Sequence, residues 1–303
     1  MKSKIIRQTV FPLLAAFIWG SAFVAQYMGA DIMPAFAFNT VRNFIAIWFL
    51  SLIVLIFDLI RRKNPSFEPD YVHSNKELFK GGTLCGITLG IAMNLQQFGI
   101  AGSGAGKSGF LTALYIVIIP VLGIFFKQKQ SLRVWISVVI SVVGLYLLCI
   151  KEDFSIETSD LYLLGCALAF SIQMMLVSHY VKRVDGIRLS CYQFAIAAIV
   201  SAIFMLAAHE VPTFEMIKLS IGPLLYTAIL SSGVAYTLQI FAQKGTNIAV
   251  VSLLLCLESV FATISGAVIL HEVMSLREYI GCIVMFSAVI ISQIPGKKEV
   301  LEQ

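Results

Sequence analysis

Long apolar stretches separated by short polar ones recur along the whole chain. Ten such runs carry few or no charges: 10–30, 33–57, 81–101, 107–126, 134–150, 161–181, 189–208, 219–243, 247–270 and 278–295. About 20 apolar residues suffice to cross the ~30 Å hydrocarbon core of a bilayer as a helix. None of the runs alternates with the period of two that a membrane strand shows, so helices must satisfy the backbone groups that lipid cannot. The pattern predicts an all-α polytopic membrane protein with ten transmembrane helices. The first run follows Lys2, Lys4 and Arg7, as the core of a signal peptide would, but it is full length and is read as the first span.

Composition strengthens this picture: 58% of the 303 residues are apolar and 13% charged, against roughly 45–50% and 25% in soluble domains. The loops then set the orientation. Apart from Arg42, which lies inside a run, seventeen Lys and Arg residues fall on one side of the expected topology, and four (Lys107, Lys151, Lys218 and Arg277) on the other. Positive residues collect on the cytoplasmic side, so both termini are expected there, in a plasma or inner membrane. This topology accounts for the net charge of +5, and no nucleic-acid partner is needed. Cys85, Cys149, Cys166, Cys191, Cys256 and Cys282 all sit in apolar runs without metal-ligand spacing. They are read as small core residues, and neither a metal nor a cofactor is expected.

The polar segment KEDFSIETSD, at 151–160, divides five runs from five. FPLLAAFIWGS (11–21) lines up with LYLLGCALAFS (161–171), GIAMNLQQF (90–98) with GVAYTLQIF (233–241), and SLRVWI (131–136) with SLREYI (275–280). These pairs occur in the same order at offsets of 150, 143 and 144, as duplication with small insertions would leave them. The expected organisation is a first five-helix repeat over 1–150, an outward linker over 151–160 and a second repeat over 161–303. Because five is odd, the second repeat is inverted, an arrangement found in secondary transporters with a solute site near the bilayer midplane.

The motifs WGSAFVA (19–25), Arg42 early in the second run, FLTALYIVIIP (110–120) and LESVFATISGAVILHE (257–272), followed by Gly281 in the last helix, resemble the EamA-type family of the drug/metabolite transporter superfamily. The resemblance runs through both halves. It implies ten helices, two inverted halves and alternating access for a small metabolite, with export favoured and an amino acid or related amphiphile as the expected cargo. Nucleotide-sugar and drug cargoes stay open, as do a passive channel and an integral membrane enzyme. Two departures weaken any transfer of substrate: Ser259 stands where the family often has proline, and Lys127-Gln128-Lys129 where Gly-Glu is common.

Ionisable groups within a span are costly and are therefore candidate functional residues. At 1.5 Å per residue, Arg42 lies about 12–14 Å and Glu258 about 13 Å from the outer face. The matching depths suggest that they meet in the bundle interior, directly or through water, to grip a zwitterionic or anionic solute or to share a coupling proton. A structural ion pair is the alternative. Gln96 and Gln239 occupy matching repeat positions, with Asn94, Gln97, Tyr236 and Thr237 beside them, and Gln193 answers Arg42 in the second half. These groups bind solute or join helices. Ser21 belongs to the same expected pathway, and Trp19, Tyr115 and Tyr192 could floor a pocket or pack between helices. His179 is expected at the inner interface.

Two motifs point elsewhere. AGSGAGKSG (101–109) approximates a nucleotide phosphate loop with alanine at the first glycine. It lies between two runs on the outer face, without the strand, soluble domain and acidic magnesium ligand that such a loop requires. It is expected to be a tight turn that exposes Lys107 and Ser108 at a helix N-terminus, as an anion-attracting outer vestibule. HEVMS (271–275) begins like a zinc protease motif but has Ser275 in place of the second histidine. No enzyme chemistry is expected, and the partners are a small-molecule solute, the lipid bilayer and a coupling proton.

Overall fold

Most of the helices open on a polar or proline cap placed before an apolar run. The computed structural model describes residues 6–64, 74–127, 130–149, 157–244, 246–269, 271 and 273–293. A π-helical turn, Ile6–Val10, leads into α1 (Phe11–Ala30), which carries Pro12 in its first turn, where a missing N–H costs nothing. Pro34 precedes α2 (Ala35–Lys63). The Ser74 hydroxyl accepts the Glu77 N–H at 3.4 Å to start α3 (Asn75–Ala113), followed by α4 (Tyr115–Phe125) and α5 (Leu132–Cys149). Glu157 and Asp160 form a capping box on α6 (Thr158–Tyr180), and Asp185 accepts the Arg188 N–H at 2.8 Å to open α7 (Gly186–Ala207).

Short helices α8 (Phe214–Leu219) and α9 (Ile221–Leu225) lead through a π-helical stretch, Tyr226–Ala235, into α10 (Tyr236–Gln243). α11 (Ile248–Leu255), α12 (Glu258–Ile269) and α13 (Leu276–Gln293) complete the order. Among the described residues, nine helical stretches are long and apolar enough to cross a membrane, and Leu132–Leu148 is a shorter tenth. The protein is an all-α polytopic membrane protein of about ten helices.

Side chains are sorted for a lipid surround. Trp48 and Phe125 are each 78% exposed, whereas Asn39, Asn43, Gln97, Gln173 and Gln193 are fully buried. In hydrocarbon the outer face gains nothing from being polar, and helix association relies on close packing and interhelical hydrogen bonds. Small residues provide the contact. Gly20 of α1 lies against α12 so closely that a Cβ there would stand 2.6 Å from the Glu258 carbonyl oxygen. α3 packs along α6 and α7, with Gly99 against Leu163 and Gly86 against Ile196, and α5 packs on α13.

The structure departs from the apolar pattern in three places. The stretch 101–109 is not a turn: helical backbone continues through it, from Asn75 to Ala113. Gly102 serves close approach, since a Cβ there would meet Ser159 at 2.6 Å. The eighth run, expected to be one α-helix, is α-helical only at its ends, with a π-helical centre. The ninth run is broken at Cys256–Leu257, which leaves Glu258 as the first residue of α12. A similar break at Leu114 makes Tyr115 the first residue of α4. Of the outward linker, residues 151–156 lie outside the described residues, as does Glu272 of the HEVMS motif.

Candidate functional site

The two helix breaks meet. Tyr115 and Glu258 are 143 residues apart, the offset that relates Gln96 to Gln239. The Tyr115 hydroxyl donates to the Glu258 carboxylate (Oε1) at 3.1 Å, with both residues buried. A broken helix exposes backbone groups that an unbroken one would use internally, which is why membrane proteins confine such breaks to protein-lined interiors.

Beside this contact lies a cavity lined by Trp19, Phe23, Gln26, Arg42, Gln96, Thr112, Tyr115, Phe170, Gln173, Met174, Ser231, Tyr236, Gln239 and Glu258. Its volume is about 30 Å³. The walls must move apart before anything much larger than water can enter. Eight elements (α1, α2, α3, α4, α6, the π-helical stretch, α10 and α12) bring ionisable, amide, hydroxyl and aromatic groups to one place.

Arg42 is 2% exposed, and each of its guanidinium nitrogens donates to a neutral acceptor. Its Nε donates to Ser232 Oγ at 2.9 Å, Nη1 to Gln26 Oε1 at 3.0 Å and Nη2 to Ser231 Oγ at 3.0 Å. Ser231 and Ser232 are adjacent in sequence, and the π-helical winding of Tyr226–Ala235 brings both to the guanidinium; π-helical segments are frequent at functional sites. No ion pair joins Arg42 to Glu258 among the described residues, so the direct salt bridge envisaged from their depths is absent. Three neutral oxygens orient the cation, and one phenol orients the carboxylate. The cavity therefore holds a basic and an acidic side chain that do not pair with each other.

Other predicted residues divide between the cavity and the helix contacts. Trp19 donates its indole N–H to the Ser231 carbonyl at 3.3 Å and stacks edge-on against Tyr236, with ring centroids 4.8 Å apart. Gln96 and Gln239 also line the cavity, and among the described residues the buried Gln239 and Gln173 side-chain oxygens have no hydrogen-bond partner. Buried polar atoms of this kind are uncommon because each costs about 1–3 kcal/mol.

Asn94 is a helix fastener rather than a lining residue: it donates to Gly90 O at 2.8 Å and to Ser201 Oγ at 2.9 Å, and accepts from Asn39. Gln97 donates to the Gln26 carbonyl at 3.1 Å, Gln193 accepts from Gln173 at 2.9 Å, and Thr237 bonds to Gly233 O and Ser190. Tyr192 packs over Gly82 and Phe79.

Ser21 turns to the other face of α1. It bonds to the Tyr226 hydroxyl in a groove of about 530 Å³ lined mainly by apolar side chains of α1, α9 and α12. The outer vestibule also differs from expectation. Ser108 is fully buried inside α3, and Lys107 pairs with Asp160 at 2.7 Å. Because the helix does not start there, its N–H groups are not free to attract an anion.

Sequence reasoning missed Gln26, Thr112, Gln173, Ser231 and Ser232 as cavity or clamp residues. Only the crossing of α1, α2 and the π-helical stretch turns Gln26, Ser231 and Ser232 toward Arg42.

Apolar helices around an enclosed polar cavity define the class: a polytopic membrane protein with a charged internal site. The EamA-like transporter family matches residues 9–150 and 158–293, nearly the whole described chain. An uncharacterized transporter of Archaeoglobus fulgidus is 31% identical over 279 residues, covering 92% of this chain and 83% of that protein. The uncharacterized transporter YoaV of Bacillus subtilis is 23% identical over 274 residues, covering 88% and 90%. A solved structure described as "Crystal structure of protein" superposes with a TM-score of 0.77 at 13% identity, covering 98% and 99%, a likeness of fold. The chain belongs to the EamA-like transporter family and is a multi-pass membrane transporter.

Proposed function

We propose that the protein is a secondary active carrier that moves a small zwitterionic or amphiphilic metabolite, such as an amino acid, by alternating access between inverted five-helix halves. The observation that carries this proposal is that Arg42 and Glu258 line one buried cavity without pairing with each other. A solute with both charges completes what neither side chain supplies: its carboxylate meets Arg42 and its ammonium meets Glu258. Trp19 and Tyr236 shelter its apolar portion, and Gln96, Gln173 and Gln239 provide neutral hydrogen bonds. Glu258 also takes the coupling proton. Helices broken at Tyr115 and Glu258 allow the halves of each span to tilt separately, as discontinuous spans do at transporter sites. Export from a cell whose cytoplasm faces both termini is the direction that the family resemblance favours.

Proteoliposome counterflow tests the proposal. Neutral amino acids that stabilise the purified protein against heat should show saturable exchange, accelerated by a pH gradient. Arg42→Gln should abolish exchange, and Glu258→Gln should slow it and make the remaining rate independent of the gradient. Wild-type rates in both folded variants would refute the assigned site, and non-saturable flux without counterflow would identify a channel.

A further inference from the structure

A second polar cavity, of about 110 Å³, lies at the C-terminal end of α6, lined by Met175, Ser178, His179, Lys182 and Ile248. It shares no residue with the Arg42–Glu258 cavity. Ser178 lies in the last turn of α6 and the exposed Lys182 in the turn that follows, and both line the cavity. His179 adds an imidazole that donates an N–H in either protonation state.

Three neighbouring arginines are already paired. Arg183 meets Glu77 at 3.4 Å, Arg188 meets Asp58 at 2.7 Å, and Arg61 meets both Asp58 and Asp185. Among the described residues, no carboxylate lies within ion-pair distance of Lys182. The end of α6 and the start of α11 share this wall, since Ile248 is the first residue of α11. Their opposite end charges offset each other. The sign of the cavity is therefore set by Lys182, and it is positive.

Depth and size define the ligand. The 23 residues of α6 extend about 34 Å at 1.5 Å per residue, slightly more than the ~30 Å hydrocarbon core, so its end reaches the headgroup layer. On this measure about 10–15 Å³ suffices for one water, so the cavity has room for several waters or one tetrahedral oxyanion. This is also the Lys- and Arg-rich side, where basic pockets between helices take anionic headgroups.

We infer that Ser178, His179 and Lys182 form a phosphate site, whose ligand is either the phosphate of an anionic lipid or free inorganic phosphate. Occupancy would tie the end of α6 to α11, the half-span leading to Glu258, and so bear on motion at the broken helix.

The test uses the full chain in nanodiscs of phosphatidylcholine with or without phosphatidylglycerol, read by native mass spectrometry and thermal unfolding. Phosphatidylglycerol should be retained and raise Tm, and Lys182→Ala should weaken its binding about fivefold, the value of one lysine near an anionic surface. Lys182→Arg should retain binding, and Lys76→Ala, an exposed cation outside the cavity, should leave it unchanged. Inorganic phosphate titrated into phosphatidylcholine discs separates the sources: protection by phosphate supports a free-anion site, and protection by phosphatidylglycerol alone supports a headgroup site. If Lys182→Ala does not fold, His179→Gln provides the same comparison. Wild-type binding in the folded variants, or no response of the wild type to either ligand, would overturn the assignment.

Discussion

A methyl group added at Gly20 tests the packing that positions Glu258. In Gly20→Ala the new Cβ would stand 2.5 Å from Phe261 Cβ, 2.6 Å from the Glu258 carbonyl oxygen and 2.7 Å from the Ala262 nitrogen. Ordinary contact begins at 3.4 Å, so α1 and α12 must separate by about 0.9 Å (3.4 − 2.5). Two of the three atoms are backbone, and no rotamer change relieves them. Overpacking of this kind costs about 1–3 kcal/mol, at the upper end where backbone must move. Alanine's better helix propensity returns up to about 1 kcal/mol. The net loss of about 1–2 kcal/mol should lower Tm by about 2–8 °C, at 2–4 °C per kcal/mol. Solute exchange should fall further than stability does, because a shift near 1 Å in a positioned group can cost up to about 100-fold. Gly222→Ala is the control: nothing lies within 4 Å of its Cβ, and its Tm should hold or rise slightly. Thermal unfolding in detergent and counterflow in proteoliposomes measure the two effects. Wild-type Tm and exchange in Gly20→Ala would refute the account of how α1 sets the position of α12.

Three further outcomes follow from the same geometry. Arg42→Gln loses donors to three acceptors, worth about 0.6 kcal/mol each inside a membrane, but removes a buried cation whose desolvation costs several kcal/mol; Tm should change little while exchange is abolished, and a fall above about 10 °C would make Arg42 primarily structural. Tyr115→Phe deletes the hydrogen bond that orients Glu258, worth about 0.5–1.5 kcal/mol, so apparent solute affinity should weaken by up to about tenfold; unchanged kinetics would reduce the bond to a packing contact. Lys107→Ala breaks a partly exposed ion pair with Asp160, so stability should fall by no more than about 1 kcal/mol, and less at high salt, with solute affinity unchanged; altered affinity would restore the vestibule role expected from the sequence.

Run length and the scarcity of charge were enough to identify a multi-span helical membrane protein, because lipid permits almost no other solution for an apolar chain. The same physics singled out Arg42 and Glu258, since a charge inside a span is costly enough to need a reason. Local pattern could not settle where a helix bends or which way a polar side chain faces. The glycines of 101–109 suit a turn and a close-packed helix equally well, and the proximity of Ser159 belongs to another element. Nothing in LLLCLES announces the break before Glu258, because the residues around it are good helix formers. Asn94, Gln96 and Gln97 are near neighbours of similar chemistry, yet Gln96 reaches the cavity while the other two join helices. Hydrogen bonds in the bilayer are made between spans, so which polar groups pair and which stay open to a ligand is decided only when the helices cross. The same is true of the Arg42 clamp, whose three acceptors come from residues 16, 189 and 190 positions away along the chain.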